Sequence, residues 1–174
     1  MRLRNVKYAK DLILQNPQIV IPNPQDYKSN WAKLFGNKHP IEVEIGCGKG
    51  KFIYESALDN PNINFIGIEK FDSVIVRALE KVIEHPLDNL KLLRLDAETI
   101  TDIFSKDEVA KIYLNFSDPW PKIRHAKRRL TSNKFLDRYA HILSKNAEIH
   151  QKTDNIELFE FSVESLTEHI KFVI

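Results

Sequence analysis

The sequence has 174 residues, 43% of them hydrophobic and 29% charged, with five Gly, eight Pro and one Cys, which fits one globular domain and excludes the disordered, fibrous and disulfide-rich classes. The apolar run Leu12 to Leu14 is too short for a signal peptide and no stretch approaches a membrane span, so a cytoplasmic location with no membrane partner is expected, and the lone Cys47 agrees with a reducing compartment. The net charge of +2 decides little, but five of the eight residues from Lys122 to Arg129 are Lys or Arg, and no acid lies between Asp118 and Asp137.

In chain order, a basic helix from about Val6 to Leu14 comes first, with Arg2, Arg4, Lys7 and Lys10 as a solvated cationic face. A Pro-containing irregular segment follows. Residues 1–39 are thus expected to form an arm packed on a single domain spanning 40–174. From Ile41 onward short apolar runs alternate with amphipathic helices. The expected strands are Ile41 to Ile45, Asn64 to Ile68, Leu90 to Leu95, Ile112 to Phe116 and Ala147 to Gln151. The helices between them carry apolar stripes: Phe52, Ile53, Ser56 and Ala57; then Val74, Ile75, Ala78, Leu79 and Val82. Two later stripes are Phe135, Leu136, Tyr139, Ile142 and Leu143, and Ile156, Phe159, Val163, Leu166 and Ile170. Repeated strand–helix units predict an α/β fold, a doubly wound, mostly parallel sheet flanked by helices.

The first strand runs into Gly46-Cys47-Gly48-Lys49-Gly50 before a helix. Glycines there permit positive φ and close backbone approach, so a cofactor can lie against exposed N–H groups. The spacing is not the G-x-G-x-x-G of a dinucleotide site. Glu44 beside the loop would repel a pyrophosphate but attract an ammonium, which favours S-adenosylmethionine. Gly46 and Gly48 then line the cofactor. Glu69, at the end of the second strand, is placed for ribose hydroxyls, and Asp96 with Ala97, after the third, for the adenine amino group and ring. Each feature alone also fits a tight turn or a helix cap. Three acids at successive strand ends converge on one crevice.

After the fourth strand, Asn115-Phe116-Ser117-Asp118-Pro119-Trp120-Pro121-Lys122 faces the reactive end of that crevice. Asp118 is the catalytic candidate, on a loop stiffened by Pro119 and Pro121. The adjoining run of Arg124, His125, Lys127, Arg128 and Arg129 suits a phosphate-bearing partner. Asp154, followed three residues later by Glu157, reads first as a helix N-cap and second as a substrate contact. No metal ligand set is assigned.

EIGCGKG, FIGIE, LDA, NFSDPWPK followed by RHAKRRLT, and KTDN with LFEFS together resemble the bacterial tRNA (guanine-N7)-methyltransferase family, with a Rossmann-like class I methyltransferase fold. The resemblance covers about Ile41 to Phe161. It implies methyl transfer from S-adenosylmethionine, with S-adenosylhomocysteine as product, to N7 of a guanine in the variable loop of tRNA. It implies cofactor contacts at Glu44, Glu69, Asp96 and Asp118, an active-site role for Asp118, substrate contacts at Lys122 and Asp154, and RNA contacts along Arg124 to Arg129. DNA is not an expected partner, and a monomer and a homodimer are both open. Ile123 and Gln151 depart from the family pattern, which has a basic and an apolar or aromatic residue there. Members continue through a further strand and a T-x-x-E motif, so an incomplete C-terminal sheet edge and a C-terminal truncation are expected. Two other readings stay open: methylation of an exocyclic base amine, and a non-catalytic RNA-binding protein.

Overall fold

Two strands buried along their whole length form the centre of the sheet, β1 (Ile41–Ile45) and β2 (Asn64–Glu69); the middle of β2 is apolar, as in a parallel strand covered on both faces, whereas β1 buries Glu42 and Glu44 at alternate positions. The computed structural model describes residues 6–174; Arg2 and Arg4 of the basic N-terminal segment lie outside the described residues. With β3 (Leu90–Arg94), β4 (Val109–Asn115) and β5 (Leu143–Lys152) the strands run in the order β3-β2-β1-β4-β5, every pairing parallel. The order reverses between β1 and β4, so the crevice for a ligand opens at the carboxyl ends of those strands.

Side chains alternate across the sheet with period two. Phe65, Leu90 and Leu92 meet α3 (Lys51–Asp59) and α4 (Asp72–Glu84) on one face. Val43, Ile45, Ile66, Ile112 and Leu114 meet α5 (Ile100–Ile103) and α6 (Asn133–Ile142) on the other. The N-terminal region reaches this core in two places. Short α1 (Ala9–Leu14) lies on α4, where the Tyr8 hydroxyl donates to Glu80. Farther on, α2 (Trp31–Phe35) buries Trp31 against Phe104, ring centroids 5.1 Å apart, its indole N–H on the Ile103 carbonyl. Between them Val20 bridges Leu92, so the irregular segment borders the β3 edge.

Several expectations shift: the first helix starts at Ala9, not Val6, and the segment read as irregular contains α2. β4 starts three residues early and ends at Asn115, because Phe116 turns away with φ +52°. Leu143 does not continue the α6 stripe; it opens β5. The predicted apolar stripe on α7 (Ile156–Glu168) does not face the core as a whole: Ile156, Phe159 and Val163 are exposed, as is Ile170 beyond the helix, while Leu166 is partly buried. The helix instead buries Leu158, Ser162 and Ser165, with the Ser162 hydroxyl bonded to Thr131 at 2.7 Å. Small hydroxyl side chains permit this close approach, and their hydrogen bonds satisfy groups that would otherwise be costly to bury. Sequence periodicity sees only the larger apolar face.

Candidate active site

The loop after β1 is built on three left-handed glycines, Gly46, Gly48 and Gly50, with φ of 74°, 58° and 74°. At Gly50 even an alanine is blocked: its Cβ would lie 2.5 Å from the Cβ of Ala78 on α4. The requirement is therefore both conformational and steric. The turn brings the start of α3 over the end of β1, and Cys47 fills the space beneath, against Gly67. Burial first, then the charges of Glu44 and Glu69, push the Cys47 thiol up, which keeps it neutral and unreactive.

Glu44 sits at the end of β1, 3% exposed. Its Oε1 accepts from the Asn115 amide on neighbouring β4 at 3.0 Å, while Oε2 is buried without a partner. Burial raises its pKa to about 7, with the Asn115 amide, and the Ile53 backbone N–H nearby but not within hydrogen-bonding geometry, pulling the other way. An orphaned carboxylate oxygen in a crevice costs free energy unless a donor comes to it. The site is thus shaped for a cationic or N–H-bearing ligand group.

Glu69, at the end of β2, accepts three backbone N–H bonds: Lys70 at 2.8 Å and Phe71 at 3.1 Å on Oε1, and Gly48 at 3.2 Å on Oε2. It ties the glycine turn to β2. Of roughly four acceptor sites on a carboxylate three are used, which leaves Oε2 open to a further donor. Asp96 follows β3, with Oδ1 capping Glu98 N–H at 3.0 Å and Oδ2 held by Lys70 at 2.6 Å. Against burial, which would raise it, these two partners keep its carboxyl below the ordinary range. Ala97 beside it is buried.

The loop 116–122 is strained at both ends of its acidic centre. Phe116 and Trp120, neither of them glycine, have φ of 52° and 44°, a conformation that costs about 1–3 kcal/mol per residue and persists only when surroundings enforce it. Phe116 N–H is pinned to the Lys152 carbonyl of β5 at 2.8 Å. Asp118 itself is exposed. Past it, Ile123–Arg128 forms a 3-10 helix. Its turn folds back on Trp120: His125 meets the indole edge-on at 5.7 Å, and the Arg128 guanidinium lies 4.9 Å over the ring. Lys122, Arg124, Lys127 and Arg128 are exposed and His125 is half-buried, whereas Ile123 is 92% exposed.

Arg129 differs from the rest of the basic run. It is 8% exposed, with Nε donating to the Pro119 carbonyl at 2.9 Å and Nη2 to the Trp120 carbonyl at 3.2 Å. Its guanidinium stacks 4.4 Å from the Phe161 ring of α7. Charge pattern alone made it one more phosphate contact; its surroundings make it part of the loop's support.

Asp154 is not the cap of α7. The cap is Asn155, whose Oδ1 accepts Leu158 N–H at 2.8 Å, leaving the Asp154 carboxylate exposed at the end of β5. The capping explanation for Asp154 is thereby removed. Sequence reasoning also missed Asn115, which holds Glu44, and Glu42, buried on β1 with the Tyr113 hydroxyl on its Oε2 at 2.7 Å. A polar residue ending an apolar strand beside a paired acid was the signal available for Asn115. At Gln151, the departure noted above, the amide nitrogen is buried without a partner.

The residues named at strand ends therefore all lie along the carboxyl edge of β3, β2, β1, β4 and β5. A family model described as "Putative methyltransferase" matches residues 38–174. A tRNA (guanine-N(7)-)-methyltransferase of Bacillus cytotoxicus is 57% identical over 97% of this chain and 78% of its own. One of Lysinibacillus sphaericus is 55% identical over 97% and 79%. Among solved structures, the aminoglycoside resistance methyltransferase NpmB1 has the same fold, with a TM-score of 0.59 at 15% identity over 81% of this chain and 70% of that one. With a Rossmann-like parallel sheet, a glycine turn beneath a buried acid, and relatives this similar over nearly its whole length, the chain belongs to the bacterial tRNA (guanine-N7)-methyltransferase family.

Proposed function

We propose that the protein methylates N7 of a guanine in the variable loop of tRNA, using S-adenosylmethionine. The observation that carries the cofactor half is the buried, unpartnered Oε2 of Glu44 beside the glycine turn, which fits the cofactor's ammonium as a charge-assisted acceptor. Glu69 retains one acceptor site for a ribose hydroxyl, and Asp96 with buried Ala97 suits the adenine amino group and ring. Gly46 and Gly48 let the backbone approach the ligand closely. When bound, S-adenosylmethionine supplies an electrophilic methyl group.

Guanine N7 has a lone pair and no proton, so no strong base is needed; alignment supplies most of the acceleration. Asp118, carried by the strained loop, accepts from the donor edge of the guanine and offsets the positive charge that methylation places on the purine. Lys122, in the loop after β4, and Asp154, after β5, are both exposed and are the further substrate contacts of this reading. Arg124, His125, Lys127 and Arg128 contact RNA phosphates, and tRNA as the substrate puts the reaction in the cytoplasm. Among the described residues no helix is long and apolar enough to cross a membrane.

A tRNA transcript in which guanosine is replaced by 7-deazaguanosine, with carbon at the acceptor position, tests the reading. No methyl incorporation is expected; incorporation at the level of the ordinary transcript would show that another atom is the acceptor. The phosphate contacts have their own signature. Neutralising Arg124, Lys127 and Arg128 together to Gln is expected to reduce the slope of log Kd for tRNA against log salt by roughly 2–3, at about 0.7–0.9 per lost contact. An unchanged slope would remove the run from the RNA interface.

A further inference from the structure

We propose that Arg129 is a positioning residue: it holds the strained backbone of the Asp118 loop, and so sets where that carboxylate meets the base, instead of binding RNA. The proposal rests on the reading of Asp118 as the group that meets the guanine.

Three observations converge. Arg129 is buried, whereas the other Lys and Arg side chains of the basic run are exposed. Its fork reaches back nine and ten residues to accept strain at the point where it arises: Nε and Nη2 bond the carbonyls of Pro119 and Trp120, the two residues directly after Asp118. Trp120 is the residue held at φ +44° between two prolines. Proline supplies no N–H, so neither Pro119 nor Pro121 can anchor the loop through its own amide. The carbonyls are the handles left, and a planar guanidinium can grip two at once with fixed spacing. Among the described residues Arg129 makes no salt bridge to a carboxylate; the Phe161 face, 4.4 Å away, serves as its cation–π partner. The grip also spans elements, since Phe161 belongs to α7 while the carbonyls belong to the loop after β4.

A lysine could keep the charge but not the two-pronged geometry, which makes Arg129→Lys the informative change. Its kcat for tRNA methylation is expected to fall by about 10- to 100-fold, the usual penalty for misplacing a catalytic group by around an ångström. In Arg129→Gln, which also removes the charge, the Kd for tRNA should stay within about twofold of the parent and its salt slope should not change, because no phosphate contact is lost. Acrylamide quenching of tryptophan fluorescence in Arg129→Lys should rise, since Trp31 is buried and Trp120 is the half-exposed indole whose loop is freed. Phe161→Leu keeps the arginine and removes its aromatic seat, and should move kcat and quenching in the same direction by less. If Arg129→Lys does not fold, Phe161→Leu decides by the same criteria.

Unchanged kcat and quenching in Arg129→Lys, together with a salt slope reduced by about one contact in the charge-removing Arg129→Gln, would overturn the proposal and return Arg129 to the RNA surface. Quenching and tRNA binding are read without methyl transfer. A wild-type protein that fails to methylate guanine N7 would therefore sink the functional reading while leaving the clamp separately measurable.

Discussion

Asp118→Asn is expected to lower kcat for tRNA methylation by about 100- to 1000-fold, the range seen when one preorganised electrostatic partner of a transition state is removed. The Kd for S-adenosylmethionine should change by less than about tenfold, since Glu44, Glu69 and Asp96 remain. Asparagine has nearly the same volume, so the loop between Phe116 and Trp120 keeps its shape and only the charge disappears. That charge matters most late in the reaction. Guanine gains a full positive charge as the methyl group arrives, and a carboxylate on its N–H edge stabilises the product-like state more than the ground state. Isothermal calorimetry for the cofactor and single-turnover transfer to tRNA separate the two effects. A normal turnover rate in this variant would remove Asp118 from the chemistry.

The second large effect concerns Glu44. Its carboxyl is raised from 4.5 to about 7 by burial, so the folded protein binds a proton more tightly than the unfolded chain does. Stability from this group is fully present below about pH 4.5 and is lost as pH rises through 7, a total of about 3 kcal/mol. Glu44→Gln removes the penalty and should be more stable than the parent at pH 8, with the difference vanishing at low pH. The same change should weaken cofactor binding by roughly 10- to 100-fold, because the charged acceptor for the ammonium becomes a neutral amide. In the parent protein, lowering pH from 8 to 6 should weaken cofactor binding by about tenfold, as only the ionised carboxylate binds well. Thermal melts and calorimetry across this range check both signs. Equal cofactor affinity in the Gln variant would refute the ammonium site.

The frame of the molecule was legible because its signals are local and repeated. β1 needed only five apolar-rich residues ending in a glycine turn, and its bounds are as expected. The acids at strand ends could be read for the same reason, since a parallel sheet brings every carboxyl end to one edge. What could not be read was which polar group already has a partner. Glu69 looks free in sequence, yet three backbone amides point at it. Arg129 is indistinguishable from Arg128 by type and spacing, but one is buried under Phe161 and the other lies over Trp120. Asp154 and Asn155 are both good caps, and the choice between them depends on a single residue of helix register. The α7 stripe misled in the same way: periodicity reports that one face is apolar, not that a neighbour covers it.

The atom that receives the methyl group decides the function. Unmodified tRNA incubated with the protein and labelled S-adenosylmethionine, then digested to nucleosides and resolved by mass spectrometry, should carry the label in 7-methylguanosine from the variable loop. Label in a nucleoside methylated on an exocyclic amine, or no label despite tight cofactor and tRNA binding, would contradict methylation at guanine N7.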